Sequence, residues 1–234
     1  NFGATRHSYG FGHPNTFGFW TLLLIFSGLL YIPRKGHRAL SCLISVLLAF
    51  CVFRVTDSKA ALLSSLAAIV LCLIAFRVGP WLSSKKWSVP LCVGLYLLGI
   101  AAFLSLALLY QEDNGFFSTC NALLSDRLAY SSAAFRSFGV KLFGAQVHFR
   151  WDPVDSLYAY APICMGLIPT VLYFGLNLIS LYRAARAGRW DIVAVAFAGA
   201  LYSTMEYGLM NPVHLPIFAA CARLKVEKDR KSSV

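Results

Sequence analysis

The segment VPLCVGLYLLGIAAFLSLALLY, residues 89–110, contains no charged side chain. A helix needs roughly 20 apolar residues to cross the hydrocarbon core of a bilayer, which is about 30 Å thick, and this segment is long enough. It also lacks the alternation of apolar and polar residues that characterises lipid-facing strands. The segment therefore predicts a transmembrane α-helix.

Comparable apolar runs occur along the rest of the chain. They cover residues 16–32, 39–53, 60–76, 159–182 and 192–209, and a shorter run with two prolines covers 212–222. Hydrophobic residues make up 58% of the sequence and charged residues 13%, whereas about 25% of a soluble domain is charged. We therefore expect one all-α, polytopic membrane domain of about six or seven transmembrane helices, with one long loop at 111–158.

The distribution of cations predicts the orientation of this bundle. Alternate connectors and the tail carry fourteen of the 21 Lys and Arg residues: Arg34, Lys35, Arg38, Arg77, Lys85, Lys86, Arg183, Arg186, Arg189, Arg223, Lys225, Lys228, Arg230 and Lys231. By the positive-inside rule these face the cytoplasm, and the long loop faces outward. Membrane topology then explains the net charge of +11, which does not indicate a surface that binds nucleic acid. Six spans would leave the basic tail outside, so residues 212–222 should return the chain inward or one span is wrong.

Polar residues on the predicted outer side form an ordered series of short motifs. They are Arg6 with Gly10-Phe11 and His13-Pro14-Asn15, then Ser58-Lys59, Ser125-Asp126-Arg127, Leu142-Phe143-Gly144, and Asp155 with Tyr158. In this order they resemble the integral-membrane polysaccharide polymerases and ligases of the O-antigen and capsule type, in their Gram-positive exopolysaccharide branch. Two positions depart from that pattern, since Lys59 stands for an arginine and Asp126 for a glycine. The chain starts at Asn1 within a loop, and the resemblance implies that N-terminal spans precede it.

The resemblance implies a polymerase in the bacterial cytoplasmic membrane. Such an enzyme joins undecaprenyl-pyrophosphate-linked oligosaccharides outside the cytoplasm, without a nucleotide sugar, a metal or a cofactor, beside a flippase and a chain-length regulator. The seven cysteines show no metal-site or redox spacing. We expect no nucleic-acid partner.

The resemblance also implies roles for individual residues. Arg127 is the first candidate for the pyrophosphate, because a guanidinium presents a fixed fork of donors. Asp155 and His148 are the candidates for the base that takes the hydroxyl proton, and His13 is a third. The remaining candidates for substrate binding are Arg6, Asn15, Lys59, Arg136, Tyr158 and Glu206.

Simpler roles exist for several of these residues. Asn15 and Asp155 each precede an apolar run and could be helix N-caps, and Lys59 could extend its amine to the membrane interface. Glu206 lies near the outer end of an apolar run, where a carboxylate is costly unless it is paired or faces a cavity. It could line the site or pair with an arginine.

Three alternative functions fit the sequence. An O-antigen type ligase uses the same donor with a different acceptor. A transporter or channel subunit would also contain many spans, but transporters place ionisable residues or broken helices near the membrane midplane, and the apolar runs here contain almost none. A decayed fragment that folds without acting is the third.

Overall fold

A computed structural model describes residues 14–31, 38–145 and 154–206. Within these ranges the chain is helical and has no strand. The helices are α1 (Pro14–Tyr31), α2 (Arg38–Thr56), α3 (Lys59–Ser83), α4 (Ser88–Leu108), α5 (Gly115–Leu123), α6 (Arg127–Phe138), α7 (Leu157–Tyr160), α8 (Leu167–Arg186) and α9 (Trp190–Met205), with a π-helical segment (Ala161–Met165) between α7 and α8. The predicted helical class is therefore confirmed for the described residues.

Four of these helices are long and apolar enough to cross a membrane. They are α2 from Ala39, α3, α4 and α8, while α1 and α9 are apolar but shorter. Leucines on their surfaces, such as Leu98 at 62% exposure and Leu172 at 65%, have the large exposed apolar area that lipid covers. The helices indicate a membrane-embedded protein, and the count of six or seven crossings stays a prediction.

Two helices start or end elsewhere than the apolar runs predict. Helix α3 continues to Ser83, through Pro80, well past the run that ends at residue 76. Helix α8 starts at Leu167 and not at 159, because the preceding residues form α7 and the π-helical segment and Gly166 then breaks the helix with φ +95°. The predicted long loop also contains two helices, α5 and α6.

The chain divides into two compact units, and each is described separately. The described residues of the first unit are those within 14–89 and 180–202, and those of the second lie within 90–179 and 203–206. In the first unit, small residues let helices approach closely. A Cβ added at Gly18 would lie 2.9 Å from the Cβ of Ser58 in the residue before α3, and one at Gly79 would lie 2.9 Å from the Trp190 ring. Small residues serve the same purpose wherever helices pack in lipid.

Two apolar clusters form the core of the second unit. One joins Phe103 of α4 to Leu128 of α6 and Tyr158 of α7, and the other includes Val154 and Ile163. Leu128 is fully buried and Val154 is 2% exposed. Leu128 follows Arg127 in the sequence and Val154 precedes Asp155, and both charged residues are predicted site residues. Core packing therefore fixes the positions at which these two residues leave the core.

Candidate functional site

A strained turn leads into helix α6. Ser125 and Asp126 both have positive φ, +51° and +66°, a left-handed conformation that glycine adopts at the least cost. Asn121 supports the turn, because its Nδ2 donates to Asp126 Oδ1 at 2.9 Å and its Oδ1 accepts from the Ala129 amide at 3.0 Å. Glycine would therefore suit the position of Asp126 at a lower conformational cost than an aspartate.

Arg127 follows the turn and contacts two carboxylates. Its Nη2 lies 2.9 Å from Asp155 Oδ2 and 3.6 Å from Glu206 Oε1. The three side chains are 18%, 17% and 11% exposed, respectively. We call Arg127, Asp155 and Glu206 the charged cluster. Among the described residues, the cluster thus places one cationic side chain beside two acidic ones.

Main-chain carbonyls hold the Arg127 guanidinium in place. Its Nε donates to the Met205 carbonyl at 3.0 Å and its Nη1 to the Ser125 carbonyl at 2.9 Å. Met205 is the last residue of α9, where carbonyls lack intrahelical partners and the helix dipole favours a cation. Among the described residues, hydrogen bonds to Met205, Ser125 and Asp155 use three of the five guanidinium N–H groups, and Glu206 lies beside the same Nη2 as Asp155.

Asp155 lies in a short extended stretch before α7. The neighbouring Ser156 is fully buried, and its Oγ donates to the Ser203 carbonyl in the last turn of α9 at 3.3 Å. This bond links the segment that contains Asp155 to α9, which ends beside Glu206. Ser156, and not Asp155, occupies the residue before α7, and it makes no side-chain cap. The N-cap interpretation of Asp155 is therefore wrong.

The Leu142-Phe143-Gly144 motif caps helix α8. The Leu167 amide donates to the Lys141 carbonyl at 2.8 Å, and the Ile168 amide donates to the Leu142 carbonyl at 3.1 Å. These bonds satisfy two amides that a helix start leaves without partners. The backbones of Gly144 and Gly166 touch, and a Cβ on either glycine would collide with the other segment. The motif thus has a structural role at the broken helix.

The structure places the other predicted site residues in different surroundings. Arg136 is exposed and its Nη2 donates to the Tyr110 carbonyl, just beyond α4, at 2.8 Å. Asn15 lies in the first turn of α1 and Lys59 begins α3, both in the first unit. Arg6, His13 and His148 lie outside the described residues, so their roles stay predictions.

Tyr158 is a core residue in the structure. Its side chain is 3% exposed, and its ring lies 5.5 Å from the Phe103 ring and 5.5 Å from the Phe174 ring, measured between centroids. Burial raises the pKa of the phenol well above its ordinary value, so the ring stays neutral. The described contacts of Tyr158 are packing contacts, and its predicted contact with substrate stays a prediction.

Several groups that shape the site were not predicted from the sequence. Asn121 organises the turn and the Met205 carbonyl binds Arg127, but neither has a charge or motif that would identify it. Among the described residues, no three His, Cys, Asp or Glu side chains form a group suited to a metal ion. The six described cysteines are all free thiols.

No family model, no curated protein and no solved structure matches this chain.

Proposed function

We propose that this chain is part of a membrane polysaccharide polymerase that joins undecaprenyl-pyrophosphate-linked oligosaccharides on the extracytoplasmic face. The observation that carries the proposal is the contact of Arg127 with both Asp155 and Glu206. These residues are far apart in sequence, and two of them belong to separate motifs of the resemblance. Their convergence puts a cation and a proton acceptor side by side, as glycosyl transfer from a pyrophosphate donor requires.

The cluster can take part in both halves of the reaction. The acceptor hydroxyl oxygen bonds to the anomeric carbon of the donor, the bond from that carbon to the pyrophosphate oxygen breaks, and Asp155 takes the hydroxyl proton. Arg127 stabilises the negative charge that develops on the departing undecaprenyl pyrophosphate. Asp155 is the candidate base that the structure brings to Arg127, and His148, outside the described residues, stays the other candidate.

Glu206 holds Arg127 while no donor is bound. Its Oε1 lies 3.6 Å from Nη2, farther than Asp155 Oδ2 at 2.9 Å, so it is the carboxylate that an incoming phosphate displaces more readily. A pyrophosphate would add negative charge beside two acidic side chains, so we expect further cations to join the complete site.

A transporter is the second candidate function. The broken helix at Ala161–Gly166, close in sequence to the ionisable Asp155, is a feature found in secondary transporters. A ligase would use the same cluster with a different acceptor, and no feature of the described residues favours it.

The test replaces Arg127 by Ala and by Lys in the full-length gene of the native host. We expect long polymer to disappear and single lipid-linked repeat units to accumulate, with the protein still present in the membrane by immunoblot. Lys should rescue little activity, because an ammonium lacks the planar fork of donors. Lys141→Ala, which removes an exposed cation of the same unit, is the matched control and should leave polymer length unchanged.

The glycan profile also separates the two candidate functions. Normal polymer length in Arg127→Ala would refute the polymerase proposal. A transporter would lose substrate flux in the same variant without accumulating single repeat units on the outer face.

A further inference from the structure

The connectors α3–α4 and α8–α9 meet at one end of the first unit. Trp190 Nε1 donates to Ser83 Oγ at 2.9 Å. Gly188, with φ +69°, lies against the same serine, since a Cβ added there would be 3.0 Å from Ser83 Oγ. The two connectors are therefore fixed to each other, and the side chains that they carry share one surface.

Among the residues that the structure describes, four cations on this surface have no acidic partner. They are Lys85 and Lys86 in the α3–α4 connector and Arg183 and Arg186 in the last turn of α8, and all four are exposed. Asp191 is the only acidic residue at this end among those that the structure describes, and Arg189 occupies it through hydrogen bonds of 2.7 to 3.2 Å. The surface therefore has a concentrated positive charge available to an anion.

Exposed aromatic rings lie beside two of these cations. Trp81 is 52% exposed and Trp87 is 47% exposed, and their ring centroids lie 5.8 Å apart in an edge-to-face arrangement. Lys85 Nζ lies 5.6 Å from the Trp81 ring centroid. On α8, Arg186 Cζ lies 5.9 Å from the Tyr182 ring centroid. Trp and Tyr concentrate at the level of lipid headgroups.

We propose that this surface binds the headgroup of an anionic phospholipid. Lys85, Lys86, Arg183 and Arg186 would contact the phosphate, and Trp81 and Trp87 would lie against the glycerol and upper acyl chains. Basic surfaces at the ends of transmembrane helices bind anionic headgroups in this way. The exposed indoles favour a lipid over a soluble polyanion, because a soluble partner would leave them in contact with water. This site does not depend on the proposed glycosyl transfer.

The test measures lipid selectivity with the full chain in nanodiscs that mix phosphatidylcholine and phosphatidylglycerol. Either lipid is brominated in turn. Because the sequence has five tryptophans, the part of the quenching that is lost in Trp81→Phe/Trp87→Phe reports which lipid lies against these two residues. We expect brominated phosphatidylglycerol to quench more strongly than brominated phosphatidylcholine at equal mole fraction. Native mass spectrometry of the detergent-solubilised protein should detect retained phosphatidylglycerol.

The variant Lys85→Gln/Lys86→Gln/Arg183→Gln/Arg186→Gln should remove the difference in quenching and reduce retained phosphatidylglycerol by about tenfold or more, since each cation near a membrane surface contributes. Lys85→Arg/Lys86→Arg should keep both. The control Arg54→Gln/Lys141→Gln removes two exposed cations away from this surface and should also keep both.

Equal quenching by the two lipids in the native protein would overturn the proposal, as would equal losses in the control variant and the quadruple variant. If the quadruple variant does not fold, judged by its circular dichroism and elution, the doubles Lys85→Gln/Lys86→Gln and Arg183→Gln/Arg186→Gln replace it. Each double should then lose part of the selectivity, and full selectivity in both would refute the site.

Discussion

Replacing Gly144 by alanine should destabilise the protein much more than replacing Gly139 by alanine. Both glycines have positive φ, +79° and +61°, and a non-glycine residue in such a conformation costs about 1–3 kcal/mol. They differ in their surroundings. A Cβ at Gly139 meets no atom within 4 Å, whereas a Cβ at Gly144 collides with the backbone carbonyl of Cys164.

The collision adds to the conformational cost only at Gly144. Backbone atoms cannot move aside by changing rotamer, and overpacking of this kind typically costs about 1–3 kcal/mol. We therefore expect Gly144→Ala to lower the free energy of unfolding by about 2–6 kcal/mol and Gly139→Ala by about 1–3 kcal/mol. The difference between the two variants, about 2 kcal/mol, measures how much the packing of the loop against the broken helix contributes to stability.

Chemical unfolding of the full chain in detergent micelles measures both losses. Hydrogen exchange supplies a local measurement, because the Leu167 and Ile168 amides donate to the carbonyls of Lys141 and Leu142. Exchange at these two amides should accelerate in Gly144→Ala more than in Gly139→Ala. Equal losses of stability together with unchanged exchange would refute the contact between the Leu142-Phe143-Gly144 loop and Gly166.

Further substitutions probe the turn, the core and the connectors. Asp126→Ala keeps the left-handed strain and loses the Asn121 hydrogen bond, so it should lower the free energy of unfolding by about 1–3 kcal/mol. Asp126→Gly loses the same hydrogen bond but relieves the strain, so it should change that free energy by less than about 1 kcal/mol. Chemical unfolding measures both. Burial raises the pKa of Tyr158, so the phenol ionises first in the unfolded chain, and the free energy of unfolding should fall above about pH 10. Tyr158→Phe should reduce that fall, as thermal unfolding between about pH 8 and about pH 11 would show. Trp190→Phe loses the hydrogen bond to Ser83 and should cost about 1 kcal/mol, and a double-mutant cycle with Ser83→Ala should show that the two losses are not additive.

The apolar runs predicted the helices because a long uninterrupted apolar segment has few other stable structures in a membrane. The break before α8 could not be predicted in this way. It depends on Gly166 meeting Gly144, a contact between distant residues, and the apolar sequence across 159–182 continues through it. Helices α5 and α6 were missed because they are shorter than a transmembrane helix and their sequences are mixed in polarity.

For the site, the sequence motifs selected Arg127 and Asp155 as candidates, and pairing with an arginine was one of the roles left open for Glu206. Charged residues of this kind stand out because they are costly near a membrane without a partner. The sequence did not predict the Met205 carbonyl as a ligand of Arg127, since every residue has a carbonyl and only the end of α9 leaves this one free. Tyr158 was expected at the substrate because of its motif, whereas its burial follows from tertiary packing.

The measurement that tests the central claim most directly compares Asp155→Asn with Asp126→Asn. Purified full-length protein is given lipid-linked oligosaccharides extracted from a host that lacks the polymerase, and released undecaprenyl pyrophosphate and polymer are quantified. Asp155→Asn removes the proposed base and should lower turnover by about 10²- to 10⁴-fold, whereas Asp126→Asn retains an oxygen acceptor for Asn121 and should leave turnover near the native rate. Native turnover in Asp155→Asn would contradict the account.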